Sequence, residues 1–329
     1  MSRVVRIYQA GAPSVMRLEQ QTVGAPGPGQ VRLHQAAIGL NFVDTLFRSG
    51  AFGAGGFPFV PGVEGAGVVD EVGPAVTNVQ VGDRVAYYSA LGAYADERLI
   101  ESHHLVHVPD DITLEQAAAL LAKGLTAWML VKRAHAVAPG DVVLVQAAAG
   151  GVGTFVSRWA KGLGATVIAV VGSPAKAEFV RRGAIEHVLV NDESNPLESI
   201  RALTDGRGVD VVYDGVGTGT FALSVAAVRD GGDLIRFGNS SRGGPPSSGE
   251  ERRLAGRGIV ALSPSVAQYI TNRTQLDQAS AEVFAAFRAG TFGTLAITRY
   301  ALADVTKAHQ DLEARRTTGP LILIPWQRD

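Results

Sequence analysis

Cysteine is absent from the 329 residues, and with it go disulfides, thiolate nucleophiles and every zinc site built on sulfur. A dominant charge is missing too: 30 Lys and Arg face 31 Asp and Glu, for a formal net charge of -1. With no basic stripe or charge run, nucleic acid is not an expected partner. No apolar run reaches the roughly 18 residues of a membrane span. No stretch resembles a signal peptide, so a membrane partner is not expected and a cytoplasmic location is. Internal repeats and low-complexity tracts are also lacking. What is plentiful is glycine, 40 residues scattered at turns, in a chain long enough for two domains with cores of their own.

The most informative stretch runs from Asp141 to Ser173. Val142 to Gln146 is a short β-branched run, suited to a strand buried on both faces of a parallel sheet. Ala147-Ala148-Ala149-Gly150-Gly151-Val152-Gly153 follows, a turn without a bulky side chain, in which Ala148 stands where the usual fingerprint has its first glycine. Phe155, Val156, Trp159 and Leu163 then recur at helical spacing, Gly164 ends the helix, and 166–171 forms a second strand. A turn this bare lets backbone N–H groups approach a pyrophosphate whose charge sits on the helix N-terminus. An NAD site places an acid about twenty residues further on, on the ribose 2′-OH. Here Val171-Gly172-Ser173-Pro174 carries no carboxylate and Lys176 follows within a turn. That corner suits a 2′-phosphate, so the expected cofactor is NADPH.

Around this stretch the fold class is α/β: a Rossmann doubly wound parallel sheet joined to a mainly β domain. Before it, strands are expected over 4–9, 16–21 and 30–40, a short helical turn over 41–48, and further strands to about 110. Thr113 and Gln116 fit a capping box, opening a helix that leads to Lys123-Gly124-Leu125-Thr126-Ala127 and a second helix ending near His135. After it, helices over 176–182, 195–203 and 218–228 alternate with strands over 187–190, 209–213, 233–237 and 259–262. Residues 239–249 have the composition of a mobile loop. From about 266 come a helix, a strand (297–302), an amphipathic helix (303–316) and a last strand (321–324). His103, His104 and His107 lie in a strand-like run whose neighbours would point to opposite faces, which argues against a metal site.

Several motifs recur together in one family. Asn41-Phe42-Val43-Asp44-Thr45, Glu64-Gly65-Ala66-Gly67, Gly82-Asp83-Arg84-Val85, Lys123-Gly124-Leu125-Thr126, the Ala147–Gly153 turn, Val212-Tyr213-Asp214, Phe237-Gly238-Asn239-Ser240-Ser241 and the 309–317 segment span the chain. In that order they resemble the quinone oxidoreductase (zeta-crystallin-like), zinc-free branch of the medium-chain dehydrogenase/reductase superfamily. The resemblance implies a GroES-like substrate domain (1–122 and 266–329) split around a Rossmann NADPH-binding domain (123–265), and a homodimer. It also implies site roles. Gly151, Val152, Gly153 and Thr154 would cradle the pyrophosphate. Gly172, Ser173 and Lys176 would hold the 2′-phosphate end, with Arg315 approaching it and Asn191 where the family often has a tyrosine. Phe237, Gly238, Asn239 and Ser240 would wrap the nicotinamide half. Asn41 and Thr126 would lie near the ring as catalytic groups, Asn41 orienting a carbonyl. Asn41, Leu46, Phe52 and Ser263 would line the substrate pocket.

Zinc-dependent members of the superfamily would have Cys at Asn41 and His at Val63; neither residue here is a ligand of that kind, so no metal is expected. Leu46 replaces a tyrosine and Ser263 an arginine, which points to a more apolar pocket, larger quinones or α,β-unsaturated ketones. The expectation is hydride transfer from nicotinamide C4 to a quinone. The alternatives are an NADPH-dependent enone or alkenal reductase, or a non-catalytic NADPH-binding protein of sensor or crystallin-like type.

Overall fold

The computed structural model describes residues 1–191, 195–241 and 248–325. The chain divides into two compact units, 1–123 with 295–329, and 124–294.

The first unit opens with β1 (Ser2–Ile7) and β2 (Met16–Gln21), an antiparallel pair. β3 (Gln30–Leu40) follows, then α1 (Phe42–Ser49), β4 (Glu64–Val72), β5 (Arg84–Tyr88), β6 (Glu97–Glu101), β7 (Leu105–His107) and α2 (Leu114–Met129). β3 alternates buried and half-exposed residues until its last turn, where Ile38, Gly39 and Leu40 are buried in succession. That end is covered on both faces, and Asn41 emerges immediately beyond it.

The second unit alternates strand and helix as far as β13 and closes with two helices: β8 (Val142–Gln146), α3 (Gly151–Gly162), β9 (Thr166–Val171), α4 (Pro174–Arg182), β10 (His187–Val190), α5 (Pro196–Leu203), β11 (Val209–Asp214), α6 (Phe221–Ala227), β12 (Val228–Arg236), α7 (Ser248–Gly256), β13 (Val260–Leu262), α8 (Val266–Tyr269) and α9 (Arg273–Arg288). The chain then returns to the first unit with β14 (Thr298–Ala301), α10 (Val305–Glu313) and β15 (Leu321–Ile324). There β15 pairs antiparallel with β3, completing a seven-stranded sheet in the order β14-β15-β3-β4-β5-β7, with β6 also on β3. The second unit's sheet is parallel throughout in the order β10-β9-β8-β11-β12-β13. Order reverses between β8 and β11, and in such a sheet the ligand crevice lies beyond the strand ends at that switch point.

Several expectations shift. The two helices expected across 113–135 are one: α2 runs through Gly124 into a π-type turn at Leu130–Ala134. A Cβ at Gly124 would stand 2.4 Å from Val283 of α9, so the glycine marks a close approach, not a helix end. The same contact, with Phe292 packed on Phe155 and Trp159, ties α9 to the second unit. The second compact unit accordingly runs to Thr294. His103 and His104 sit on a 3-10 turn with their rings 4.2 Å apart, not on opposite strand faces. The expected 303–316 helix ends at Glu313, and 242–247 of the expected loop lie outside the described residues.

Candidate active site

At the carboxyl end of β8 the turn is formed by Ala147, which takes a left-handed φ of 52°, and by Gly150, which caps α3. The first helical bond runs from Thr154 N–H to Gly150 O (3.0 Å). The N–H groups of Gly151, Val152 and Gly153 therefore precede the helical ladder, and the first turn carries no acid. A Cβ at Gly153 would lie 2.4 Å from Ala147 O and 2.9 Å from Ala148 Cα, so only glycine lets the helix seat this closely on the turn. The Thr154 hydroxyl donates to Gly150 O (2.8 Å) and Ala148 O (3.2 Å) and so shapes the loop. At the end of β9, Gly172 is exposed and Ser173 caps α4, accepting from Lys176 N–H at 3.4 Å. Asn191 closes β10 on Val171 O (2.9 Å). Bare donors and an acid-free corner fit a phosphorylated dinucleotide.

The loop after β11 is organised by Asp214, which appears in the sequence only as a motif letter. Its buried carboxylate accepts from Val216 N–H (2.8 Å), Gly217 N–H (3.0 Å), the Thr220 hydroxyl (2.8 Å) and the Ser224 hydroxyl (2.7 Å). Phe237 packs over Gly215, where a Cβ would meet its ring at 2.7 Å, and Gly238 sits against Gly215 O. Ser240 N–H and Ser241 N–H donate to Gly215 O (3.4 Å) and Val216 O (2.9 Å). Asn239 lies beside Gly217. The residues expected around the nicotinamide are thus one packed pair of loops.

In the first unit Asn41 heads α1 as its N-cap. Its Oδ1 accepts from the Lys123 ammonium (2.8 Å) and its Nδ2 donates to Glu64 Oε2 (2.9 Å), to which Lys123 also donates (2.9 Å). Glu64 is fully buried and its other oxygen accepts from Ala122 N–H (2.7 Å). Gly39, opposite Glu64 in the β3–β4 ladder, makes the space: a Cβ there would stand 2.1 Å from Glu64 Oε2. Lys123 and Glu64 were visible in the sequence only as motif letters; a buried lysine next to a buried glutamate is the signal that would have marked them.

A second chain of donors ends one turn away. Arg48, buried and bound at two points by Glu313 (2.7 and 3.1 Å), lies 3.4 Å from His309 Nδ1; His309 Nε2 lies 2.9 Å from Tyr94 Oη; and Tyr94 donates to Asp44 Oδ2 (3.0 Å). Arginine only donates, so Nδ1 is the acceptor and Nε2–H faces the tyrosine. Asn41 N–H also donates to Asp44 Oδ2 (2.9 Å), while Asp44 Oδ1 is buried without a partner. Burial pushes the Asp44 carboxyl up to about 7, against the pull of the Asn41 N–H, Tyr94 and Lys123. Burial, seconded by Arg48, holds His309 down at about 3 and hence neutral.

The remaining predicted residues are dispersed. Leu46 is half-buried on α1, and exposed Phe52 packs edge-on to Phe47 (5.9 Å). Thr126 lies half-buried three residues beyond Lys123, in the second unit. Ser263 accepts from Arg236 (3.2 Å), so the corner expected to lack a charge carries a guanidinium. Arg315 is exposed at a left-handed φ of 57° in the first unit, and neither unit's own fold brings it to the Lys176 corner.

Zinc does not fit this donor set. Val63 offers no donor, and the Asn41 and Glu64 oxygens are already turned onto an ammonium. Among the described residues no three His, Asp or Glu side chains converge as a metal cluster would require. No helix among them is long and apolar enough to cross a membrane.

A glycine-turn Rossmann sheet and a mainly antiparallel unit contributed by both chain ends define a medium-chain dehydrogenase/reductase. Residues 27–110 match the alcohol dehydrogenase GroES-like domain and residues 151–281 the zinc-binding dehydrogenase family. The chain is 39% identical to a quinone oxidoreductase of Pseudomonas aeruginosa, covering 99% of this chain and all of that one. It is 39% identical to a 2-haloacrylate reductase of Burkholderia sp, over 97% and 98% of the two. The quinone oxidoreductase of Escherichia coli, solved with NADPH, superposes with a TM-score of 0.94 at 35% identity, over 99% of this chain and 100% of the other. The chain belongs to the quinone oxidoreductase family of this superfamily.

Proposed function

We propose that the chain is an NADPH-dependent quinone oxidoreductase working without a metal ion. The observation that carries this is the bare Ala147–Gly153 turn, whose first-turn N–H groups precede the helical ladder, set beside a corner with no acid and with Lys176 on its helix. The solved NADPH complex of a relative at 35% identity supports the cofactor. When bound, NADPH supplies a hydride from nicotinamide C4. The balance is quinone plus NADPH plus a proton to hydroquinone plus NADP⁺.

The chain's own residues bind and orient. Gly151, Val152 and Gly153 offer backbone donors to the pyrophosphate, and Lys176 offers an ammonium to the 2′-phosphate. Asp214 holds the turn at Val216 and Gly217, and the loop carrying Phe237, Asn239 and Ser240 is bonded to that turn through Gly215 O and Val216 O. Asn41 orients the acceptor's oxygen, with Leu46, Phe52 and Ser263 lining its pocket and Thr126 near the ring. Arg315 takes the adenosine end of the cofactor. A GroES-like unit around a Rossmann unit, a cytoplasmic location and a homodimer complete this reading.

A second reading, reduction of an activated carbon–carbon double bond, is favoured by the 39% identical 2-haloacrylate reductase. A steady-state panel of quinones, enones and 2-haloacrylates with NADPH and NADH separates the two. Turnover of quinones supports the first; turnover of enones or haloacrylates alone replaces it with the second.

A further inference from the structure

We infer that Lys123 and Glu64 act together as positioning residues that lock and polarise the Asn41 amide, so that one Nδ2 hydrogen becomes the donor to the oxygen that gains negative charge during reduction. This rests on the reading that the acceptor is reduced beside Asn41.

The geometry leaves the amide a single orientation. A side-chain amide can be turned about its last bond to exchange oxygen and nitrogen at little intrinsic cost. Here the ammonium meets the oxygen at 2.8 Å and the carboxylate meets the nitrogen at 2.9 Å. Exchange would set an N–H against an ammonium and a carbonyl against a carboxylate, both repulsive in a site where Lys123 is 3% exposed and Glu64 0%. Lys123 itself donates to Glu64 at 2.9 Å, so the three groups close a ring of hydrogen bonds.

Of the two Nδ2 hydrogens, Glu64 takes one. Among the described residues the other meets Gly39 O at 3.5 Å, the far limit of a hydrogen bond. An acceptor oxygen at ordinary distance would displace that contact. A cation on the amide oxygen draws electron density from the nitrogen and strengthens its N–H as a donor. Such a donor is most useful where charge develops, in the transition state, since hydride addition leaves an electron pair on the acceptor's oxygen before a proton arrives from water. Asn41 N–H on Asp44 Oδ2 fixes the backbone from which the amide projects.

The test is a double-mutant cycle in the full-length protein. Lys123→Met should lower kcat for quinone reduction about ten- to a hundredfold, leaving the NADPH dissociation constant from fluorescence titration unchanged. The loss should be largest for the poorest electron acceptors. In an Asn41→Ala background Lys123→Met should cost less than about threefold more. Lys123→Arg should recover part of the rate by restoring the cation. Because Lys123→Met strands a buried carboxylate, the paired variant Lys123→Met/Glu64→Gln, neutral and of similar volume, repeats the measurement without that strain. Equal losses from Lys123→Met with and without Asn41, or full activity in the paired variant, would overturn the inference. Wild-type protein that turns over no quinone, enone or haloacrylate would instead overturn the functional reading beneath it.

Discussion

At the scale of single residues, the first unit sets two buried groups against each other in pH. The Asp44 carboxyl is raised from 3.8 to about 7 by burial, so the folded state holds its proton more tightly than the unfolded chain. Its contribution to stability is fully present below pH 3.8 and is lost as pH rises through about 7. His309 is lowered from 6.5 to about 3, so its contribution is present above pH 6.5 and lost as pH falls toward 3. Between about pH 4 and 6.5 the two slopes oppose. Asp44→Asn should therefore gain on the wild type by a few kcal/mol between pH 5 and 8, measured by denaturant unfolding; a difference that does not change with pH would refute the assignment. Gly39→Ala drives a methyl into Glu64 and the Ala118 carbonyl. It should cost about 1–3 kcal/mol and most of the activity, whereas a variant of wild-type stability and rate would mean that Glu64 moves aside freely.

At the scale of elements, the loop after β11 is held by one carboxylate, and the loop after β12 is bonded to it through Gly215 O and Val216 O. Asp214→Ala takes the acceptor from the Val216 and Gly217 N–H groups and the Ser224 hydroxyl, while the Thr220 hydroxyl keeps Gly217 O (3.2 Å). It should cost about 3 kcal/mol or more and weaken NADPH binding about tenfold, measured by titration. Unchanged NADPH affinity would show that these loops do not depend on it. What was legible in the sequence follows the same division. The second unit's strands were close to plain, because parallel strands buried on both faces read as unbroken β-branched runs and their turns announce themselves in glycine. The 142–146, 166–171 and 187–190 strands coincide with β8, β9 and β10. The break placed near Gly124 was wrong because a glycine that admits a neighbouring valine looks the same in sequence as one that ends a helix. Lys123, Glu64 and Asp214 escape notice as site residues because what each does depends on partners the fold brings to it: Lys123 meets Asn41, 82 residues away, and Asp214 gathers Val216, Gly217, Thr220 and Ser224. Ser263 reads in the sequence as a lost charge because Arg236, which donates to it, lies 27 residues away.

At the scale of the whole molecule, a chain without cysteine whose Asn41 and Glu64 already share an ammonium has no place for a sulfur-bound zinc. Quinone reduction should therefore survive prolonged exposure to a strong chelator at full rate, and a loss restored by zinc would contradict this. The homodimer proposed from family membership should appear as a species of twice the chain mass in sedimentation; a monomer at micromolar concentration would remove it.

The most direct test is the ratio of kcat/KM for NADPH to that for NADH in quinone reduction, measured on the wild type and on Lys176→Ala. Loss of one charged contact to the 2′-phosphate is worth about 1.5–3 kcal/mol, so the ratio should favour NADPH in the wild type and fall about tenfold or more in Lys176→Ala. A wild type indifferent to the two coenzymes, or a ratio untouched by the substitution, would contradict the account.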